Sequence, residues 1–401
     1  MSAHFDHIII GGGSAGCALA ARLARDTDDS ICVIEAGPGD ADPRVRVPFG
    51  LVSLMGSARD WRHKTTPQAH ADGRCISVPR GRMVGGSGSM NSMVWFRGRQ
   101  DDFDAWHVPG WSWSDVAQDF DHVEAHTRPT RLATPHPVTK GFAQALSGND
   151  PDSPPTPERI SAGVVHCNLH KGRRWSAADA FLRPALATGR VTLRTGAEVD
   201  RLILTKARAT GLRLRDGTDL HATKTVTLAA GSIQSPMVLF RSGLGPGGML
   251  RAAGLPVIRD MPGIGANLHD HPGVGLHFAG RASGYGLELR QLPHWALSPL
   301  RWLTTRRGVL ASPTVEGCAF FRADGGAGQP DVQCHFIPFM LGHRGRSIVW
   351  GAGYFADVVV CRPKSRGALT IGSDPYAPQI DLNLLHDQRD LDLLVQGIAR
   401  L

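Results

Sequence analysis

The sequence predicts an α/β fold, α+β overall, and three patterns predict it. An apolar strand pattern over 5–10 is followed by a glycine-rich loop and a helix of small residues over 17–24. A second apolar run over 31–34 ends in the acidic Glu35. Alternation of apolar and polar residues over 355–360 predicts an antiparallel strand late in the chain. The first two patterns are typical of a parallel nucleotide-binding sheet, and the third indicates a separate antiparallel sheet.

Length and composition limit the class of protein. The chain has 401 residues, of which 42% are hydrophobic and 20% charged, as in globular domains and unlike disordered or fibrous chains. No apolar run approaches about 18 residues, and the polar start leads directly into a strand. We therefore expect neither a membrane-spanning helix nor a secretory signal.

Charge and cysteine usage narrow the choice further. The net charge is +8, but the basic residues are spread as singles and pairs with few aromatic residues among them. This pattern disfavours nucleic-acid binding. The seven Cys are an odd number without a close pair, which favours neither a disulfide framework nor a zinc site. We expect a reducing, cytoplasmic location.

The first loop has the spacing of a dinucleotide-binding motif. Gly11 permits a tight turn, Gly13 allows the backbone to approach a pyrophosphate, and Gly16 allows the helix to pack close to the strand. The helix N-terminus adds free N–H groups and partial positive charge. Glu35, nineteen residues after Gly16, can accept hydrogen bonds from an adenosine ribose. The motif alone does not separate FAD from NAD.

Three further segments are rich in glycine. Residues 79–94 form a second Gly/Ser-rich loop, which can place backbone N–H groups along another part of a long dinucleotide. Residues 228–246 predict a strand that ends near Gly231 and a helix with Pro236 near its first turn. The fourth segment is 262–271, which contains Gly265, Asn267 and two His.

Together the four segments resemble the glucose–methanol–choline (GMC) oxidoreductase family, and the resemblance runs from residue 5 to the chain end. It implies a Rossmann-like FAD-binding domain, a second substrate domain built on an antiparallel sheet, and oxidation of alcohol CH–OH groups. It further implies that the two glycine loops hold the pyrophosphate and isoalloxazine. The expected cofactor-binding residues are Gly11, Gly13, Ser14, Ala15, Gly16, Glu35, Ala36, Val84, Gly86, Asn91, Ser92, Met93, Val94, Val199 and Gly231.

Two family features differ in this sequence. Some family members attach FAD covalently through a His that precedes the Asn of the second loop. Met90 stands there, so we expect non-covalent FAD. The family's catalytic His, which takes the alcohol proton as hydride passes to flavin N5, lies in a segment resembling H-P-x-G-T. This segment is absent, so we expect a truncated chain with the base after Leu401 and assign no catalytic residue among its 18 His.

Other His and apolar positions have ordinary interpretations. His269 and His271 could suggest a metal pair, but no ligand cluster accompanies them and a structural role is favoured. His335 is a minor candidate for the pocket wall. The stretch 300–310 favours a packed helix, with a lid or a membrane-surface contact at the inner face as alternatives.

The domains are predicted to be discontinuous. Residues 1–155 and 190–271 form the FAD-binding domain, and residues 156–189 and 272–401 form the substrate domain. A helix over 115–124 begins with a capping box at Ser112, whereas the Pro-rich 129–157 is interpreted as a loop.

Four functions remain open. The leading one is an FAD-dependent alcohol dehydrogenase that uses a small alcohol and a quinone or oxygen as acceptor. The others are an FAD-binding fragment without turnover, a lyase that uses FAD structurally, and an NAD dehydrogenase. The last leaves the second and third glycine segments unexplained.

Overall fold

The computed structural model describes residues 3–147, 153–206, 208–280, 284–340 and 349–401. Its six long helices are α1 (Ser14–Asp26), α2 (Trp113–Thr127), α3 (Pro137–Ser147), α4 (Gly231–Arg241), α5 (Leu292–Thr305) and α6 (Gln388–Arg400). Shorter helices cover Pro43–Arg46, Leu51–Leu54, Gln100–Asp104, Arg183–Leu186 and Gly247–Ala252. A π-helical turn covers Ala178–Leu182, and 3₁₀ turns cover Pro48–Gly50, Ala69–Ala71, Gly86–Ser89, Leu289–Gln291 and Val309–Ala311.

The longer strands build two sheets and one hairpin. They are β1 (Ala3–Ile10), β2 (Ile31–Ile34), β3 (Ser161–Val164), β4 (Val191–Arg194), β5 (Val199–Thr205), β6 (Arg208–Leu214), β7 (Asp219–Leu228), β8 (Gly273–Ala279), β9 (Gly317–Phe321), β10 (Val332–Ile337), β11 (Gly353–Val360), β12 (Ala368–Ile371) and β13 (Pro378–Asp381). Two-residue strands pair as His63–Lys64 with Ser77–Val78, Thr130–Arg131 with His166–Cys167, Leu169–His170 with Arg173–Arg174, and Leu244–Gly245 with Arg259–Asp260.

The first sheet has six strands in the order β4-β2-β1-β7-β6-β5. Strands β4, β2, β1 and β7 run parallel, whereas β6 pairs antiparallel with both of its neighbours, β7 and β5. Because side chains alternate along a strand, Ile9 and Val33 face one side of the sheet and pack against Cys17 and Ala20 of α1. Ile8 and its neighbours face the other side and pack towards α4. The parallel part of this sheet is therefore buried on both faces.

The second sheet has five strands, all antiparallel, in the order β8-β11-β10-β9-β3. Helix α6 packs on it through Leu394, which joins Val358 and Val360 in one buried cluster. Helix α3 packs nearby, where the rings of Phe142 and Phe336 stack with centroids 4.4 Å apart. Parallel and antiparallel sheets thus occur together with helices, and the predicted fold class is confirmed.

Two local predictions are wrong. The Pro-rich 129–157 is not all loop, since α3 occupies Pro137–Ser147; Pro137 suits the first helical turn, where its missing N–H costs little. Residues 148–152 of that segment lie outside the described residues. Helix α4 begins at Gly231, so Pro236 lies in its interior rather than near its first turn. The strand-to-helix turn comes earlier because Gly231 has φ of +79°.

Other expected helices do form. Helix α2 begins with the predicted capping box between Ser112 and Asp115. Helix α5 buries Trp302 but leaves Leu297, Leu300 and Leu303 exposed. None of the helices in the described ranges combines the length and the apolar character needed to cross a bilayer.

Candidate functional site

The loop over 11–16 joins β1 to α1. At two of its glycines the surrounding backbone leaves no room for a side chain. Gly11 has φ of +106°, and a Cβ there would lie 2.5 Å from the carbonyl oxygen of Ala229 at the end of β7. A Cβ on Gly16 would lie 1.9 Å from the carbonyl oxygen of Gly11. The loop therefore presents backbone rather than side chains at the N-terminus of α1.

The second glycine loop packs directly on the first. The Gly85 N–H donates to the Gly12 carbonyl at 2.7 Å. Gly86 has φ of +55°, and a Cβ on it would lie 2.9 Å from the Cα of Gly13. The 3₁₀ turn Gly86–Ser89 continues from this contact. Two stretches of backbone that lie 73 residues apart in the sequence meet here, and only glycine permits so close an approach.

Glu35 lies at the end of β2 and fixes the backbone around it. Its side chain is buried, with Oε2 accepting from the Gly12 N–H at 3.0 Å and Oε1 accepting from the Gly37 N–H at 2.8 Å. Burial raises the pKa of this carboxyl group, and the two N–H donors act in the opposite direction. Each carboxylate oxygen keeps a further lone pair with which to accept a hydrogen bond from a ligand hydroxyl.

These parts surround a cavity of about 480 Å³ at the carboxyl ends of β1, β2 and β7. That edge of a parallel sheet is where nucleotides bind in open α/β folds. The first turn of α4 also lines the cavity, so two helix N-termini meet at it. The predicted residues that line it are Gly11, Gly13, Ser14, Ala15, Glu35, Ala36, Gly86, Val199 and Gly231.

The other predicted residues do not line this cavity. They are Gly16, which packs against the first loop, Val84, which is buried with residues of the first sheet and α1, and residues 91–94, which continue the second loop towards the second sheet. The Oδ1 of Asn91 accepts from the Met93 N–H at 3.0 Å and from Arg174 Nη1 at 2.9 Å. Met93 is fully buried with φ of +61°, a conformation that non-glycine residues adopt at some energetic cost. Ser92 Oγ lies 3.5 Å from Thr314 Oγ1.

Several residues that line the cavity were not predicted. Trp61 and His63 stack with ring centroids 5.8 Å apart, and burial lowers the pKa of His63. Arg80, Ser232 and Gln234 complete this part of the wall. Arg80 and Ser232 belong to the second and third glycine segments, which is a signal that could have found them. Trp61 and His63 lie in no recognisable motif.

The remaining candidate His lie elsewhere. His269 and His271 are exposed, and the described ranges contain no group of three or more metal-ligating side chains. His335 lies on β10, with Nδ1 3.6 Å from Asp357 Oδ2 on β11. His335 is not among the residues that line the cavity between the glycine loops.

The cavity fits a dinucleotide that carries a pyrophosphate and a ribose. Glycine backbone at two touching loops leaves space for phosphates, and a buried carboxylate with spare acceptor capacity lies beside them. Fold and site thus define a Rossmann-like dinucleotide-binding protein. The chain belongs to the GMC oxidoreductase family, whose model matches residues 5–273. GMC oxidoreductases bind FAD, so the predicted family and cofactor are confirmed.

Similar proteins cover nearly the whole chain. An alcohol dehydrogenase [acceptor] of Pseudomonas putida is 31% identical over 425 residues, covering 98% of this chain and 77% of that protein. An oxygen-dependent choline dehydrogenase of Rhizobium etli (strain CIAT 652) is 34% identical, covering 96% of this chain and 74% of that protein. The structure of pyridoxine 4-oxidase from Mesorbium loti superposes with a TM-score of 0.80 at 28% identity, covering 98% of this chain and 79% of that one.

Proposed function

We propose that the chain is an FAD-dependent dehydrogenase that oxidises the CH–OH group of a small alcohol and passes the electrons to a quinone or to oxygen. The observation that carries this proposal is the contact between the two glycine loops, with the buried Glu35 carboxylate beside it. The names of the relatives support the substrate class, since both the Pseudomonas putida and Rhizobium etli proteins act on alcohols by name.

Each part of the cavity between the glycine loops has a proposed role in binding FAD. Backbone N–H groups at Gly13 and Ser14 hold the pyrophosphate at the N-terminus of α1. Glu35 accepts hydrogen bonds from the adenosine ribose, and the backbone of Val199 contacts the adenine. The first turn of α4, beginning at Gly231, faces the cofactor from the opposite wall.

The second loop carries the cofactor towards the substrate. Asn91, Ser92, Met93 and Val94 are proposed to lie along the isoalloxazine, where the Ser92 and Thr314 hydroxyl groups form one wall of the substrate pocket. FAD, when bound, accepts the hydride of the alcohol carbon at N5. We assign the general base that takes the alcohol proton to no residue of the described ranges; the proposed role of Ser92 and Thr314 is to position the alcohol.

A pH series tests this function. The FAD-loaded chain is mixed anaerobically with a panel of primary alcohols and the loss of flavin absorbance is followed. No residue of the described ranges is assigned as the base, so we expect hydroxide to deprotonate the alcohol and the rate of bleaching to rise roughly tenfold per pH unit. A plateau with a pKa near 7 would assign the base to a residue within the chain.

Two other outcomes of that series would contradict the proposal. FAD bound without bleaching at any pH would favour a flavin-binding fragment without turnover. Cleavage of a cyanohydrin without any change in the flavin absorbance would favour a lyase.

We further propose that FAD is held without a covalent bond. Met90 is buried with Met83 and Leu54, and its thioether is not the imidazole nucleophile that a flavin linkage uses. Acid precipitation should release the yellow colour into the supernatant. Colour in the washed pellet would contradict this prediction.

A further inference from the structure

A second cavity, of about 690 Å³, lies behind the second glycine loop and shares no lining residue with the cofactor cavity. The hairpin Leu169–His170 and Arg173–Arg174 forms one side of it, and the end of α5 forms another. Its charged lining residues are Arg46, Lys171, Arg173, Arg174, Asp179 and Arg306. Five cations and one carboxylate therefore line it.

Arg174 is the most buried of these cations. Its side chain is 1% exposed, and its donors reach the carbonyls of Val45 and Gly88 and the Oδ1 of Asn91. Its Nη2 has no hydrogen-bond partner, and no carboxylate of the described residues forms an ion pair with it. Burial lowers the pKa of this guanidinium to about 9. A buried donor without an acceptor is unfavourable, so a ligand that accepts from Nη2 would relieve that penalty.

Arg306 repeats this pattern on the other side of the cavity. Its Nη1 is buried without a hydrogen-bond partner. Its guanidinium packs 4.3 Å from the centroid of the Trp302 ring, and that of Arg173 lies 6.0 Å from the same ring. The Trp302 Nε1–H donates to the Gly172 carbonyl at 3.0 Å and so fixes the hairpin to α5.

Most of the positive charge in the cavity is not compensated. Arg46 is paired with Asp40 at 3.1 Å and with Asp179 at 2.5 Å, which accounts for the one carboxylate in the lining. The described residues provide no ion pair to Lys171, Arg173 or Arg306. Guanidinium donors with free N–H groups are suited to the oxygens of phosphate.

We propose that this cavity binds a phosphate dianion, either free or carried as a monoester on a small organic molecule. The unpartnered N–H groups of Arg174 and Arg306 donate to the phosphate oxygens, and Arg173 and Lys171 neutralise its second charge. The cavity is larger than a phosphate ion requires, which leaves space for the organic part of an ester.

Calorimetric titration of the FAD-loaded chain tests the proposal. Inorganic phosphate and glycerol phosphate are the probes, with chloride at matched ionic strength as the reference. We expect saturable binding of both, and Arg173→Gln or Arg306→Gln should weaken it by about tenfold each. Tighter binding of glycerol phosphate would identify an ester as the ligand, and equal or weaker binding would identify free phosphate.

Arg307→Gln is the matched control, because Arg307 is the exposed neighbour of Arg306 and does not line the cavity. It should leave the dissociation constant within about twofold. The proposal is overturned by the absence of saturable binding up to about 10 mM of either probe, or by equal losses in Arg306→Gln and Arg307→Gln. The Arg306 side chain is partly exposed and the Arg307 side chain is exposed, so both variants should keep the circular dichroism spectrum of the wild type.

Discussion

Glu35 is the residue on which the first glycine loop depends. Its two carboxylate oxygens accept from the Gly12 and Gly37 N–H groups, so the side chain orders the backbone of the first loop, and we propose that it also accepts from the adenosine ribose. Replacement by alanine leaves two buried N–H groups and a ribose hydroxyl without an acceptor. We expect Glu35→Ala to weaken FAD binding by roughly ten- to a hundredfold, measured by fluorescence titration of the apoprotein.

The control is Asp28→Ala in the same part of the chain. The Asp28 side chain is 94% exposed and pairs only at the surface with Arg190, so its loss should change the FAD dissociation constant by less than about twofold. An unchanged constant in Glu35→Ala would mean that the carboxylate does not face the ribose.

Gly86 tests the contact between the loops. A Cβ there would lie 2.9 Å from the Cα of Gly13, and its φ of +55° disfavours any side chain. Gly86→Ala should therefore separate the loops and reduce FAD retention on gel filtration at least about tenfold. Gly39→Ala is the matched control, because a Cβ on Gly39 has no heavy atom within 4 Å. Equal retention in the two variants would refute the role of close approach.

At the scale of elements, the sequence predicted the strands and helices that short-range patterns specify. The glycine spacing and the small residues of α1 specify a strand, turn and helix in consecutive positions, and the predicted capping box between Ser112 and Asp115 starts α2. Helix α3 could not be predicted in the same way. Its Phe142 is held by stacking on Phe336 of a distant strand, and this contact outweighs the Pro-rich composition around it.

Helix α6 offers a direct test of how an element is held. Leu394 is 3% exposed within the cluster that covers the second sheet, whereas the adjacent Val395 is 57% exposed. We expect Leu394→Ala to lower the free energy of unfolding by about 2–4 kcal/mol, measured by urea denaturation. Val395→Ala should change it by less than about 0.5 kcal/mol. Similar losses in both would show that α6 does not pack on the sheet through Leu394.

At the scale of the whole molecule, the sequence could place the residues of the cavity wall that belong to a motif. The glycine loops and Glu35 carry a recognisable pattern, and they do meet at the carboxyl ends of the parallel strands. Trp61 and His63 reach the same cavity only because the chain returns there after two short helices. Such contacts depend on tertiary packing, for which a single sequence carries no local signal.

Glu316 connects the second sheet to the start of α3. It is fully buried just before β9, and its Oε2 accepts from the His136 N–H at 2.6 Å and from the Thr139 hydroxyl at 3.1 Å at the start of α3. Its Oε1 forms no well-aligned hydrogen bond among the described residues, although the Ser312 and Tyr285 hydroxyl groups lie close to the carboxyl group. Burial raises the pKa of this carboxyl group from 4.5 to about 7, although the surrounding donors act in the opposite direction.

The raised pKa predicts stability that is lost as pH rises. Below pH 4.5 the carboxyl group is protonated in the folded and in the unfolded protein. Between pH 4.5 and 7 the unfolded chain releases the proton that the folded protein retains, so the free energy of unfolding falls with each pH unit.

The Glu316→Gln variant has no carboxyl proton at this position. The difference between its free energy of unfolding and that of the wild type should therefore rise by about 1–3 kcal/mol between pH 5 and pH 8 in urea denaturation. Burial lowers the pKa of His136, but that residue is present in both proteins and its effect cancels in the difference. Glu158→Gln, at an exposed position, should show no such trend. A difference between Glu316→Gln and wild type that stays constant with pH would mean that Glu316 is ionised in the folded protein throughout this range.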